Sequence, residues 1–179
     1  MKAALAFVRH VDWINRRVGL VAAWLVLLAC LVSALNAGMR YTFGVSSNAW
    51  LELQWYMFAG MVMLGAPCVL SLNEHVRVDV LYGRFSSRTC AWIDIVGTAL
   101  FLLPMAVVTL WLSWPLAADS YLTGEMSSQA QGLIRWPAKM TIPVGAALLA
   151  LQGVAEIVKR IAYLRGEYNM DTHYEKPLQ

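Results

Sequence analysis

Residues 18–39 read VGLVAAWLVLLACLVSALNAGM, with no charged side chain among them. A helix needs roughly 20 apolar residues to cross a bilayer core of about 30 Å. Inside lipid a backbone must satisfy its own hydrogen bonds, so a run of this length is driven into a helix. Three more runs follow, at residues 50–72, 92–114 and 141–162, and short polar segments between the runs hold most of the charge. The pattern predicts an all-α integral membrane protein with four transmembrane helices.

The bulk numbers agree with that pattern. Of 179 residues, 59% are hydrophobic and 14% charged, whereas a soluble domain carries about 25% charged residues. Spans, loops and a polar tail over 166–179 account for the chain, which predicts a single membrane domain over residues 1–179. The basic residues sort by side. Lys2, Arg9, Arg16, Arg17, Arg77, Arg84, Arg88, Lys159, Arg160, Arg165 and Lys176 fall on one side of a four-span layout, and Arg40, Arg135 and Lys139 on the other. The positive-inside rule makes the first side cytoplasmic, with both termini inside. Single basic residues at helix ends contact anionic headgroups of membrane lipids, so no nucleic-acid partner is expected.

Local patterns refine this layout. Over residues 2–17, apolar Phe7, Val11, Ile14 and Val18 recur at helical spacing with Arg9, Asp12 and Arg16 on another face. A short amphipathic helix at the inner interface is expected there, and a second in the loop from Asn73 through Leu81. Span one carries a stripe of Ala22, Val26, Ala29, Ser33 and Ala37; span four carries Gly145, Ala146, Ala150 and Gly153. Small residues let helices approach closely, and packing drives association in lipid. These faces therefore meet a helix, in this chain or in another. Pro67 and Pro104 predict bends in spans two and three. The third loop, Pro115–Met140, is the longest, and Pro143 is placed in the first turn of span four.

Glu52 lies one turn inside span two. A first-turn carboxylate is favoured by the helix dipole, and an acid within a span is also a candidate for a functional contact. Both readings stand on the sequence. Glu156 with Lys159 and Arg160 has the spacing of ordinary pairs along one helix. Glu74, His75 and Asp79 form a sparse polar group at the membrane surface, read as keeping that loop in the headgroup region. Cys30, Cys68 and Cys90 form no CxxC pair and are read as small buried hydrophobes.

No catalytic, cofactor or metal site is expected. His10, His75 and His173 all lie outside the spans, so no histidine pair is placed to ligate a haem between helices. The sequence has no HExxH, GxSxG or phosphate-loop motif. A stretch after Arg16-Arg17 loosely resembles a lipoprotein signal, but the apolar run continues and another span follows, so no cleavage is expected. Two other four-helix classes remain as alternatives. A small multidrug-type exporter needs an acid near the middle of span one, where this chain has none. A membrane anchor of a redox complex would be expected to carry histidines within its spans.

Several motifs resemble the small membrane subunit of tripartite ATP-independent periplasmic (TRAP) transporters, the DctQ-like family. They are Glu52 early in span two, Gly65-Ala66, the run Asn73-Glu74-His75-Val76-Arg77-Val78-Asp79-Val80-Leu81, and Trp136-Pro137 ahead of Ile142-Pro143-Val144-Gly145. The resemblance implies a subunit that is not an enzyme and binds no cofactor. Its partners would be a large M-type membrane subunit, which carries substrate and sodium sites and moves like an elevator, and a periplasmic substrate-binding protein. The cargo would be an organic acid such as a C4-dicarboxylate, a keto acid or a sialic acid. On that basis Ala29, Ser33, Ala37, Glu52, Trp55, Ala146 and Ala150 are expected to dock on the large subunit. Trp13, Arg77, Trp92, Arg135 and Trp136 would set depth and tilt in the membrane. Tyr121 and Glu125 in the third loop are candidates for contact with the binding protein.

Overall fold

A computed structural model of the chain describes residues 2–45, 47–72, 85–130 and 132–168. The order is α1 (Lys2–Phe43), α2 (Asn48–Ser71), α3 (Ser87–Gly97), a π-helical turn (Thr98–Leu102), α4 (Leu103–Leu122) and α5 (Trp136–Leu164). Four helical segments are long and apolar enough to cross a membrane, α3 through α4 forming one of them.

The first segment is longer than its apolar run. No break separates residues 2–17 from span one, and α1 is one helix of 42 residues. Its buried positions are Val8, Val11, Asn15, Ala22 and Ala29. Those spacings of three, four and seven draw one seam along the whole helix. Val8 and Val11 pack with Ala155 and Val158 of α5. The amphipathic start of the chain is therefore the first part of a long helix: α5 covers Val8 and Val11, while Phe7 and Ile14 of the expected apolar face stay exposed. The surface helix expected in the second loop, with Arg77 and the Glu74, His75 and Asp79 group, lies outside the described residues.

α1 turns back through Gly44, in left-handed backbone at φ 65°, and Ser47 caps α2 by accepting from the Ala49 amide at 3.3 Å. The two helices then pack in antiparallel register. Close approaches pair Gly19 with Cys68, Ala22 with Gly65 and Leu25 with Gly60. α5 is the hub, lying against α1, α2, α3, the π turn and α4. Gly145 sits against the backbone of Met63 in α2, and Gly153 against Leu102, Leu103 and Thr98. The small-residue face of span four is thus used within the chain, whereas the span-one stripe buries Ala22 and Ala29 and leaves Val26, Ser33 and Ala37 exposed.

Proline placement explains three departures from expectation. A proline cannot donate to the residue four back, and its ring crowds that carbonyl. In the third span the π turn lies directly before Pro104, and Leu103 donates to Thr98 five residues back. This wider turn is a recurrent way for a helix to absorb such a defect. Pro115 lies inside α4, because buried Ser113, Ala117 and Ser120 continue the face that meets α5. The irregular part of the third loop therefore shrinks from the expected 115–140 to residues 123–135. At the other end Pro137 starts α5, which leaves Pro143 buried in the helix interior rather than in its first turn. Cys30 also departs from expectation: it is exposed, while Cys68 and Cys90 are half-buried.

Candidate functional site

Two polar constellations stand out among the described residues. The first closes the loop end of the bundle. α4 ends at Gly124 (φ 61°), where the Glu125 amide donates to the Ser120 carbonyl at 3.1 Å and the Gly124 amide to Tyr121 at 3.3 Å. This is the Schellman arrangement that lets a glycine end a helix. A small hairpin follows, with Met126 bridged to Ile134, Ser127 N–H donating to Leu133 at 3.0 Å and Arg135 N–H to Glu125 at 2.9 Å.

Glu52 of α2 pins this hairpin. One carboxylate oxygen accepts from the Ser127 hydroxyl, and the other accepts from the Leu133 amide at 2.8 Å. One acid thereby holds both arms, and it is only 4% exposed. Beside it, Glu125 pairs with Lys139 and, at 3.3 Å, with Arg135. The Lys139 ammonium, aided by Arg135, holds the Glu125 carboxyl at about 2, well below the usual carboxylate range. Tyr121 meets Trp136 edge to face, with centroids 5.3 Å apart.

The second constellation ties α1, α3 and α5 together at the opposite end. Asn15 donates to Gln152 at 2.7 Å. Gln152 donates in turn to Asp12 at 2.9 Å and Glu156 at 3.0 Å. Lys159 bridges Asp12 and Glu156, each at 2.8 Å. Arg160 pairs with Glu156 and, at 2.8 Å, with Asp94 of α3. Glu156, Lys159 and Arg160 are all buried. The expected pairs along α5 are present, but each cation also reaches a second helix. Sequence reasoning placed Asp12 on the polar face of the opening helix without a partner and passed over Asn15, Asp94 and Gln152. The usable signal was helical spacing: Asn15 continues the Val8 and Val11 seam, and Gln152, Glu156 and Lys159 share a face.

The remaining candidates divide by exposure. Ala29 and Ala146 are buried against the chain's own helices, and Glu52 is engaged by the hairpin. Direct docking of these three on another subunit is therefore not the geometry found. Ser33 and Ala37 are exposed and Ala150 is half-buried. Trp55, Trp13, Trp92 and Tyr121 face outward, with the Arg17 guanidinium 5.5 Å from the Trp13 ring centre. Arg135 is exposed and Trp136 half-buried. Among the described residues no three His, Cys, Asp or Glu side chains converge as a metal site.

The Glu52 clamp makes a testable distinction. A glutamine there keeps an acceptor for the Leu133 amide, and its NH2 donates to the Ser127 oxygen once that hydroxyl rotates. Leucine offers neither. A buried donor left unpaired costs about 1–3 kcal/mol. Glu52→Leu is therefore expected to speed amide exchange at Leu133 by roughly tenfold to a hundredfold, and Glu52→Gln by much less. Equal exchange in both variants and the unaltered chain would remove the clamp.

A helical multi-pass membrane protein whose polar side chains bind its own elements together is the class this geometry defines. The family described as tripartite ATP-independent periplasmic transporters, DctQ component, matches the chain over residues 29–162, and the chain belongs to it. No curated protein matches the chain. No solved structure matches it either.

Proposed function

We propose that the chain is the small permease subunit of a TRAP transporter and braces the scaffold of a large elevator-type subunit. That assembly would drive sodium-coupled, binding-protein-dependent uptake of an organic acid such as a C4-dicarboxylate or a sialic acid. The observation that carries this reading is the internal use of the chain's buried charge. Glu52 holds a hairpin, and Asp12, Asp94, Glu156, Lys159 and Arg160 hold one another. A bundle stiffened in this way suits a static brace. Its outward faces are apolar and offer Trp55, Phe101, Trp111 and Leu112 to lipid or to another helix.

In this reading the large subunit rests on the exposed side of α1 at Ser33 and Ala37, and on α2 near Trp55. Ala29, Ala146 and Glu52 act on it only by shaping those faces. Both termini lie on the cytoplasmic side of a bacterial inner membrane, where the basic residues cluster. Trp13, Arg77, Trp92, Arg135 and Trp136 set the depth of the bundle. The hairpin with Tyr121 and Glu125 is then periplasmic and is offered to the binding protein.

Co-expression of the tagged chain with its M-type subunit in mild detergent tests the proposal. A stable one-to-one complex is expected, and Ala37→Phe is expected to reduce its yield while the chain alone still purifies. A chain that purifies as a homo-oligomer and ignores that subunit would reopen the small-exporter alternative.

A further inference from the structure

We propose that the crevice between α1 and α2 seats one anionic phospholipid, with an acyl chain along the crevice and the phosphate on Arg16. This inference requires a bilayer around the chain and stands apart from the transporter reading. The crevice has a volume of ≈ 330 Å³, at the small end of the about 300–1,000 Å³ that ligand sites occupy. Its walls are apolar, and Gly19, Ala23 and Val26 of α1 face Gly65 and Ala66 of α2 across it. The glycines and alanines among these walls leave room for a linear hydrocarbon beside Met61, Val62 and Val69. Its inner end narrows where Gly19 meets Cys68: a Cβ on that glycine would lie 2.5 Å from the sulfur.

Arg16 supplies the second half of the recognition. It precedes Gly19, Ala23 and Val26 at steps of three, four and three, which place it on the same face of α1, one turn beyond the crevice. Its side chain is exposed. Among the described residues it has no hydrogen bond or ion pair, whereas Arg17 lies against Trp13 and Arg160 is held by Asp94 and Glu156. An apolar slot with an available guanidinium one turn beyond its end matches an amphiphile with a hydrocarbon tail and an anionic head. The long arginine stem lies along apolar surface while its head reaches the interface, and a guanidinium grips a phosphate with two parallel hydrogen bonds. An apolar helix in the same slot would instead cover the charge without pairing it, which is unfavourable. Arg9 and Arg17 add positive charge nearby, so an anionic lipid is preferred over a zwitterionic one.

Native mass spectrometry of the full chain, released from mild detergent with phosphatidylglycerol or phosphatidylethanolamine added, tests the assignment. One phosphatidylglycerol per chain is expected to survive, in preference to phosphatidylethanolamine. Arg16→Gln is expected to weaken phosphatidylglycerol retention about fivefold, the factor for one cation near an anionic surface. Ala23→Phe, at an exposed position that fills the slot, is expected to weaken retention of both lipids. Equal retention of the two lipids by the unaltered chain, or full phosphatidylglycerol retention by Arg16→Gln, would overturn the proposal. Disulfide capture of Ala23→Cys by a second copy or by a co-expressed membrane subunit would also overturn it, by placing a helix in the slot.

Discussion

Arg160→Met is expected to lower the stability of the bundle by about 3–5 kcal/mol, the range found when one partner of a buried ion pair is removed. Methionine keeps much of the apolar stem, so the loss reports the charge rather than the packing. The guanidinium holds Asp94 at 2.8 Å on one side and the Glu156 carboxylate on the other. Removing it leaves Lys159 to balance both Glu156 and Asp12, and it cuts an ionic tie between α3 and α5. Neutral side-chain hydrogen bonds in membrane proteins average only about 0.6 kcal/mol. Replacing Asn15, which touches Gln152 by a neutral bond, should therefore cost far less. Reversible unfolding in detergent micelles measures both variants, and adding Asp94→Asn to Arg160→Met should recover part of the loss. An Arg160→Met midpoint equal to that of the Asn15 variant would show that the charge carries no special weight.

The four spans were legible because bilayer thickness imposes a length on apolar runs, and residues 18–39 satisfy it without interruption. Helix ends were less legible, since water and protein both accept a helix beyond the bilayer. α1 therefore runs from Lys2 to Phe43, far beyond the start of its apolar run and about one turn past its end. Pro115 read as a loop residue because proline opposes helix interiors. The face formed by Ser113, Ala117 and Ser120 overrode that local preference, and such an override depends on α5, far away in sequence. Glu52 was singled out from its position alone, but its partners Ser127 and Leu133 lie 75 and 81 residues later. No local spacing announces a contact of that range. The cluster of Asp12, Asp94, Glu156, Lys159 and Arg160 was half legible for the same reason. Glu156, Lys159 and Arg160 share a helix and show their spacing, whereas Asp12 and Asp94 come from two others.

Gly145→Ala is the second substitution expected to have a large effect, and it separates seams that composition alone treats alike. A Cβ on Gly145 would stand 2.5 Å from the Met63 carbonyl oxygen and 2.8 Å from its carbon. A helix backbone cannot rotate out of the way as a side chain does, so α2 and α5 must part. Overpacking of this kind costs about 1–3 kcal/mol or more. At Gly153 the nearest atoms are the ends of Leu102 and Leu103 at 2.8 and 3.1 Å, which another rotamer relieves. At Gly38 nothing lies within 4 Å, and alanine there gains up to about 1 kcal/mol of helix propensity. Thermal midpoints are thus expected to fall in the order Gly38→Ala, Gly153→Ala, Gly145→Ala. The seam also governs the hairpin, because Glu52 rides on α2 while the chain from Leu133 leads straight into α5. Moving the two helices apart pulls the carboxylate from the amide it holds. Gly145→Ala should therefore raise exchange at Leu133 as well, although the two sites are several turns apart along the bundle. If Gly145→Ala proves as stable as Gly153→Ala, or leaves Leu133 protected, then α2 and α5 are not locked at this crossing and the bundle is more yielding than a brace requires.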